Sequence, residues 1–156
     1  MSEHLQISRK EAKQFIDKYL ATYPNISEYM KTVVEQCQTD GYVTTLLHRR
    51  REIPEIHDKN YMVREFGKRA AMNAPIQGTA ADLIKMAMIR IHRAMKEKNL
   101  KSKMILQVHD ELIFDVVLDE LETMRNLVVE EMENAMELKV PLQVSKATGQ
   151  TWYEAK

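Results

Sequence analysis

The residues best suited to chemistry gather in one short stretch, Lys103-Met104-Ile105-Leu106-Gln107-Val108-His109-Asp110-Glu111-Leu112-Ile113-Phe114-Asp115. Two apolar runs, Met104 to Val108 and Leu112 to Val117, flank His109-Asp110-Glu111. So short a connection between strands imposes a tight hairpin. Its tip has no Gly or Asn, the usual choices for such a turn, and carries an imidazole and two carboxylates instead. A carboxylate drawn partly out of water needs compensation or becomes protonated, and a divalent cation is one source of it. Mg²⁺ suits this tip, because it is a hard ion commonly held by one or two carboxylates plus substrate phosphates. Two-metal phosphoryl transfer needs carboxylates that bridge both ions, and Asp110 supplies one side of such a site. Asp115, five positions further on, is expected on the opposite face of the sheet, and no other acidic strand completes the site. The plainer alternative makes Asp110 a turn former, with Glu111 in water, His109 a surface histidine and Gln107 paired to a neighbouring strand.

A second constellation consists of hydrogen-bond donors. Arg69, Asn73 and Gln77 are spaced by four, so they share one side of a helix, with Pro75 perturbing the last step. The minor groove of a duplex presents acceptors at every base pair, so a row of donors there detects correct pairing without reading sequence. Gly78 permits close backbone approach. Arg49, Arg50, Arg51, Arg64 and Lys68 are placed to hold phosphates nearby. A solvated helix face is the alternative for any one of these residues, and it is the expected role of Lys85, Arg90 and Arg93.

Net charge hides a segregation of sign. The chain has 156 residues with 23 Lys+Arg and 23 Asp+Glu, yet residues 43 to 96 hold eleven basic against five acidic side chains. From 110 to 137 there are ten acidic residues and only Arg125. A basic middle attracts a polyanion whatever the total. With 44% hydrophobic and 29% charged residues the composition is that of a folded domain and excludes wholesale disorder. No apolar run approaches the ~18 residues of a bilayer span, so no membrane association is expected. Met1-Ser2-Glu3-His4 has no basic leader or apolar core of a secretory signal, and the single Cys37 excludes an internal disulfide; both suit a cytoplasmic protein.

These residues need elements to position them. Ser8-Arg9-Lys10-Glu11 forms a capping box, opening a helix with Ala12, Phe15, Ile16, Tyr19 and Leu20 inward. Pro24 starts a second helix with Ile26, Met30, Val33, Val34 and Cys37 inward, ended by Gly41. Tyr42 to Leu47 reads as a strand, His48 to Arg51 as a basic turn, and the segment around Pro54 as the return limb. Residues 61 to 73 are helical with Met62, Phe66 and Ala70 on one face. Pro75 then breaks or kinks the helix before a long one running to about Lys98. Asp119-Glu120-Leu121-Glu122 resembles another capping box before a last helix, and Leu142 to Ser145 alternates like a short strand. The methionines and Trp152-Tyr153 are assigned to core packing. The expected fold is α+β, with helices packed on a small antiparallel sheet that contains the acid-tipped hairpin.

Three blocks, Tyr42-Val43-Thr44-Thr45-Leu46-Leu47-His48-Arg49-Arg50-Arg51, Met72-Asn73-Ala74-Pro75-Ile76-Gln77-Gly78-Thr79-Ala80-Ala81-Asp82 and Gln107-Val108-His109-Asp110-Glu111, strongly resemble the C-terminal end of family A DNA polymerases of the bacterial DNA polymerase I type. Gly149 to Lys156 also looks like that family's C-terminus. The resemblance implies late fingers helices and a basic hairpin over 1–60 and part of the palm over 61–156. It implies that Asp110 binds the catalytic Mg²⁺ ions with Glu111 as acidic neighbour. It further implies that Arg69, Asn73, Gln77, Gln107 and His109 contact primer-template DNA near the insertion site, where deoxynucleoside triphosphates are added to a primer 3′ end. The family's second acidic motif, Asp-Tyr-Ser-Gln-Ile-Glu-Leu-Arg, and its nucleotide-binding fingers helix do not occur in the chain. The expectation is therefore a polymerase fragment, inactive alone, from an enzyme of replication and repair in the bacterial cytoplasm at the nucleoid. The rival expectation is a non-catalytic duplex-binding module. An unpaired palm sheet edge would also favour self-association.

Overall fold

The structure, a computed structural model, describes residues 8–155. It is α+β, as the pattern predicts, but its strands form two separate two-stranded antiparallel sheets, not one. The chain divides into two compact units, one reaching to Ile76 and the other starting at Gln77.

In the first unit the capping box is present in full. Ser8 Oγ accepts from the Glu11 N–H at 3.2 Å, and the Glu11 carboxylate accepts from the Ser8 N–H at 2.8 Å. These bonds satisfy two of the donors that every helix start leaves open. Helix α1 (Arg9–Thr22) follows, then α2 (Pro24–Asp40) with Pro24 in its first turn. Gly41 ends α2 at φ 79°, a left-handed conformation that costs a residue with a Cβ about 1–2 kcal/mol. Strand β1 (Tyr42–Thr44) pairs with β2 (Arg50–Glu52), Val43 opposite Arg51. The expected strand to Leu47 is cut short, because Thr45 N–H bonds back to Arg49 O and the chain already turns through Leu46 to His48. A 3₁₀ turn (Pro54–His57) leads into α3 (Tyr61–Glu97). The core joins Val33, Cys37, Val43, Ile53, Ile56, Ala71 and Ala74. Cys37 is wholly buried and behaves as a small apolar side chain, with burial raising its thiol pKa.

Several sequence expectations change here. Helix α3 runs unbroken through Pro75, because a proline's lost hydrogen bond is outweighed when the adjacent turn is packed, as Ala71 and Ala74 are. The buried stripe of α3 is Gly67, Ala71 and Ala74, not Met62 and Phe66, which are exposed. At Gly67 a Cβ would stand 2.8 Å from the backbone of Glu55 and Ile56, so the helix approaches the 3₁₀ turn more closely than a side chain permits. On α1 Ala12 is buried, and Phe15, Ile16 and Tyr19 are exposed. Of the stripe expected inside α2, Val33 and Cys37 are buried while Ile26 is exposed.

In the second unit the rest of α3 packs with α4 (Leu121–Glu133) and the hairpin of β3 (Lys103–Val108) and β4 (Glu111–Asp115). Ala87, Ile91, Met95, Met124, Leu127 and Ala135 form the core, flanked by Leu112, Phe114 and Val116. Lys85, Arg90 and Arg93 lie on the solvated side, as expected, with the Arg90 guanidinium donating to Asn134 O. Asp119 and Glu120 do not cap α4. They belong to a 3₁₀ turn (Leu118–Glu120), and the Glu120 carboxylate is engaged elsewhere. Residues 142–145 form no strand, since a strand exists only by pairing; no described strand pairs with them, and the Val144 N–H donates to the Glu133 carboxylate instead. Trp152 and Tyr153 are exposed, not core, in a turn closed by Glu154, whose carboxylate accepts from the Gln150 and Thr151 N–H groups. No helix among the described residues is long and apolar enough to cross a membrane.

Candidate active site and nucleic-acid interface

The hairpin forms as its apolar flanks require, and the turn is tighter than the three-residue tip expected. Val108 pairs with Glu111, leaving only His109 and Asp110 between the strands. A two-residue connection needs a left-handed residue, and His109 supplies it at φ 52°. Histidine is among the side chains that tolerate this region better than most. The Gln107 amide stabilises the bend by donating from Nε2 to His109 O at 2.6 Å. Gln107 is thus occupied within the turn, a role that its place in an apolar strand did not reveal.

Gln107, His109, Asp110 and Glu111 are all exposed and are brought together at one end of the hairpin. No hydrogen bond or ion pair among the described residues engages the Asp110 carboxylate. Glu111 begins β4, and Asp115 ends it opposite Lys103. The sequence of the pairing slips by one residue between Met104 and Leu106, so Ile105 has no partner. The donor set is hard oxygen, which fits a divalent cation in kind. In number it fits one ligating position, since no group of three or more His, Cys, Asp or Glu able to hold a metal occurs among the described residues.

Helix α3 carries Arg69, Asn73 and Gln77 on successive turns, each exposed, about 6 Å apart along the axis. Arg69 and Asn73 belong to the first unit and Gln77 to the second. Arg64 donates to Asp58 O at 2.9 Å and lies near the Tyr61 ring, so its guanidinium also ties down the start of α3. Lys68 is paired with Glu65 at 2.6 Å, which together with the charges of Arg64 and Arg69 lowers the Glu65 pKa.

Arg49, Arg50 and Arg51 gather on the exposed first hairpin. The Arg50 guanidinium lies 3.6 Å from the centre of the Tyr42 ring, a cation–π contact that holds it extended over the strand. The Thr45 hydroxyl accepts from the Arg49 N–H at 3.2 Å and shapes the turn, with His48 left-handed at φ 60°.

The second unit presents an exposed acid-tipped hairpin and the first an exposed basic hairpin, features that many functions share. Comparison with known proteins narrows this. The family model described as DNA polymerase family A matches residues 1–154. The chain is 51% identical to the DNA polymerase I of Lactococcus lactis subsp. cremoris and 51% identical to that of Bacillus subtilis, over all 156 residues in each case. It is 49% identical to the DNA polymerase I of Geobacillus stearothermophilus over the same length. It spans 18% of the length of these relatives. The solved POL domain of Pol1 from M. smegmatis, in complex with DNA primer-template and dNTP, superposes with a TM-score of 0.95 at 46% identity, covering 99% of this chain and 27% of that one. The chain belongs to DNA polymerase family A.

Proposed function

We propose that this chain is the part of a DNA-directed DNA polymerase that holds one side of the catalytic metal site and part of the primer-template grip. The observation that carries the reading is Asp110, an exposed carboxylate at a two-residue turn, within a chain matched by the family model almost from end to end. In this reading residues 1–60 are late fingers and 61–156 are palm.

Asp110 would hold a divalent cation, Mg²⁺ being the hard ion that suits an oxygen donor and substrate phosphates. Bound there, the ion would supply charge neutralisation on the triphosphate and a lowered pKa for the primer 3′-hydroxyl. Glu111 adds negative potential beside Asp110, strengthening the attraction for a cation. Arg69, Asn73 and Gln77 offer donors to groove acceptors, and Gln107 keeps its amide oxygen for DNA while its Nε2 holds the turn. His109 contributes an imidazole at the same tip. Arg49, Arg50, Arg51 and Arg64 contribute positive charge toward phosphates. Orientation of the 3′-hydroxyl for in-line attack is the work these contacts share.

The chain by itself is expected to extend no primer. The Asp-Tyr-Ser-Gln-Ile-Glu-Leu-Arg motif and the nucleotide-binding fingers helix do not occur in it. Such a polymerase acts in replication and repair in the bacterial cytoplasm, at the nucleoid. The test is a chimaera in which residues 1–156 replace the matching segment of a complete family A enzyme. Primer extension with Mg²⁺ is expected, and Asp110→Asn should reduce it by about a hundredfold to ten-thousandfold. Full activity in that variant would reject Asp110 as the metal-holding residue.

A second reading, a non-catalytic duplex-binding module, is favoured by the exposed arginines of the first hairpin. Titration of labelled duplex against the isolated chain at two salt concentrations separates the two. Micromolar binding that falls steeply with salt, together with an inactive chimaera, would establish the module.

A further inference from the structure

We propose that Glu120 and Ser102 are positioning residues, forming a clasp at the base of the β3–β4 hairpin that sets the geometry of the turn carrying Asp110. This rests on the reading of Asp110 as the metal-holding residue.

A two-stranded hairpin is marginal in water by itself and needs support from outside its own pairing. Here that need is acute. Ile105 is unpaired at the register slip and is 59% exposed, and its neighbour Leu106 is 45% exposed. Only one side of the hairpin reaches the core, through Leu112 and Phe114. A strand whose faces are weakly distinguished slips readily, and a slip of one residue would turn every side chain over.

The clasp lies where it can prevent this. The Glu120 carboxylate accepts from the Lys101 N–H at 2.8 and 3.1 Å, the Ser102 N–H at 2.9 Å and the Ser102 hydroxyl at 2.6 Å. Ser102 Oγ in turn accepts from the Val117 N–H at 3.1 Å. Ser102, buried at 5% exposure, therefore connects the start of β3 with Val117, two residues beyond the end of β4, and the Glu120 carboxylate holds its hydroxyl. The hairpin is thus closed at both ends, by Gln107 Nε2 on His109 O at the tip and by this relay at the base. A carboxylate suits the position because all its groups accept, and every neighbour facing it donates. Glutamine would set its NH₂ against backbone N–H groups.

The test uses the whole 156-residue chain as wild type, Glu120→Gln and Ser102→Ala, followed by amide hydrogen exchange and ¹⁵N spectra, with Mn²⁺ as probe. Ser102→Ala removes one hydroxyl and keeps the Glu120 bonds to backbone, so it guards against a glutamine variant that fails to fold. Both variants are expected to speed exchange of the β3 and β4 amides by about tenfold or more, to shift the Asp110 and Glu111 resonances, and to leave α1 and α2 unchanged. Mn²⁺ broadening of Asp110 and Glu111 should need about threefold more ion in the variants. The inference is overturned if only Lys101, Ser102 and Val117 open while the tip keeps its exchange rates and shifts. If wild type shows no Mn²⁺ broadening yet the tip still responds to Glu120→Gln, the clasp stands and the metal reading of Asp110 falls.

Discussion

Asp110 owes its position to His109 and Gln107, which shape the turn that carries it. His109 takes the left-handed conformation that a two-residue turn demands, and Gln107 holds the carbonyl that the bend exposes. Glycine would meet the backbone requirement at lower cost. His109→Gly is therefore expected to raise the stability of the hairpin by roughly 1 kcal/mol, read as a higher melting temperature. The same substitution should weaken primer extension in the chimaera, since the imidazole is lost. A variant both more stable and fully active would reduce His109 to a turn residue. The separation of stability from activity is the signature expected where a side chain is kept against local backbone preference.

At the level of elements, two close approaches decide the architecture. Gly67 lets α3 touch the backbone of Glu55 and Ile56, where an added Cβ would be 2.8 Å from main-chain atoms that cannot swing aside. Gly67→Ala is expected to cost about 1–3 kcal/mol, measured by chemical denaturation, with the loss appearing in the first unit's melting. In the second unit the Glu120 clasp gives a pH dependence whose sign is set by its donors. The Lys101 N–H, then the Ser102 hydroxyl, lower the carboxyl pKa from its ordinary 4.5. A group depressed on folding stabilises the fold above its unfolded pKa, and that contribution is lost as pH falls through the folded value. Thermal stability should thus decline below about pH 4.5, and Glu120→Gln should flatten this acid limb while lowering the plateau near neutrality. An acid limb of equal depth in the variant would mean that other carboxylates, such as the Glu11 of the capping box, carry it.

For the molecule as a whole, the distribution of apolar surface carries the prediction. Phe15 and Tyr19 on the first helix, Tyr23 just after it, and Ile105, Leu106 and Leu118 around the hairpin, are all exposed. Both edges of each two-stranded sheet lack a further strand among the described residues. Open edges and apolar patches drive association. The isolated chain is expected to self-associate with rising concentration, seen as an increasing sedimentation coefficient, and Ile105→Lys should reduce it. A concentration-independent monomer would show that these surfaces are too small or too divided to pair.

The sequence alone carried the local rules and the family resemblance. Ser8 and Glu11 had to cap, Pro24 and Gly41 had to bound a helix, and apolar runs around His109-Asp110 had to fold back on each other. Such features depend on residues within a few positions of one another, which is why they were legible. The motif blocks were legible for a different reason: they resemble, in order, stretches of the family whose model matches residues 1–154. Packing was not legible. Which stripe of α3 is buried, whether Pro75 ends it, whether Leu142 to Ser145 becomes a strand and where the Glu120 carboxylate goes all depend on partners distant in the chain. A helix periodicity states that a face exists but not which neighbour covers it, and a carboxylate near a helix start binds whichever donors the tertiary structure brings within reach.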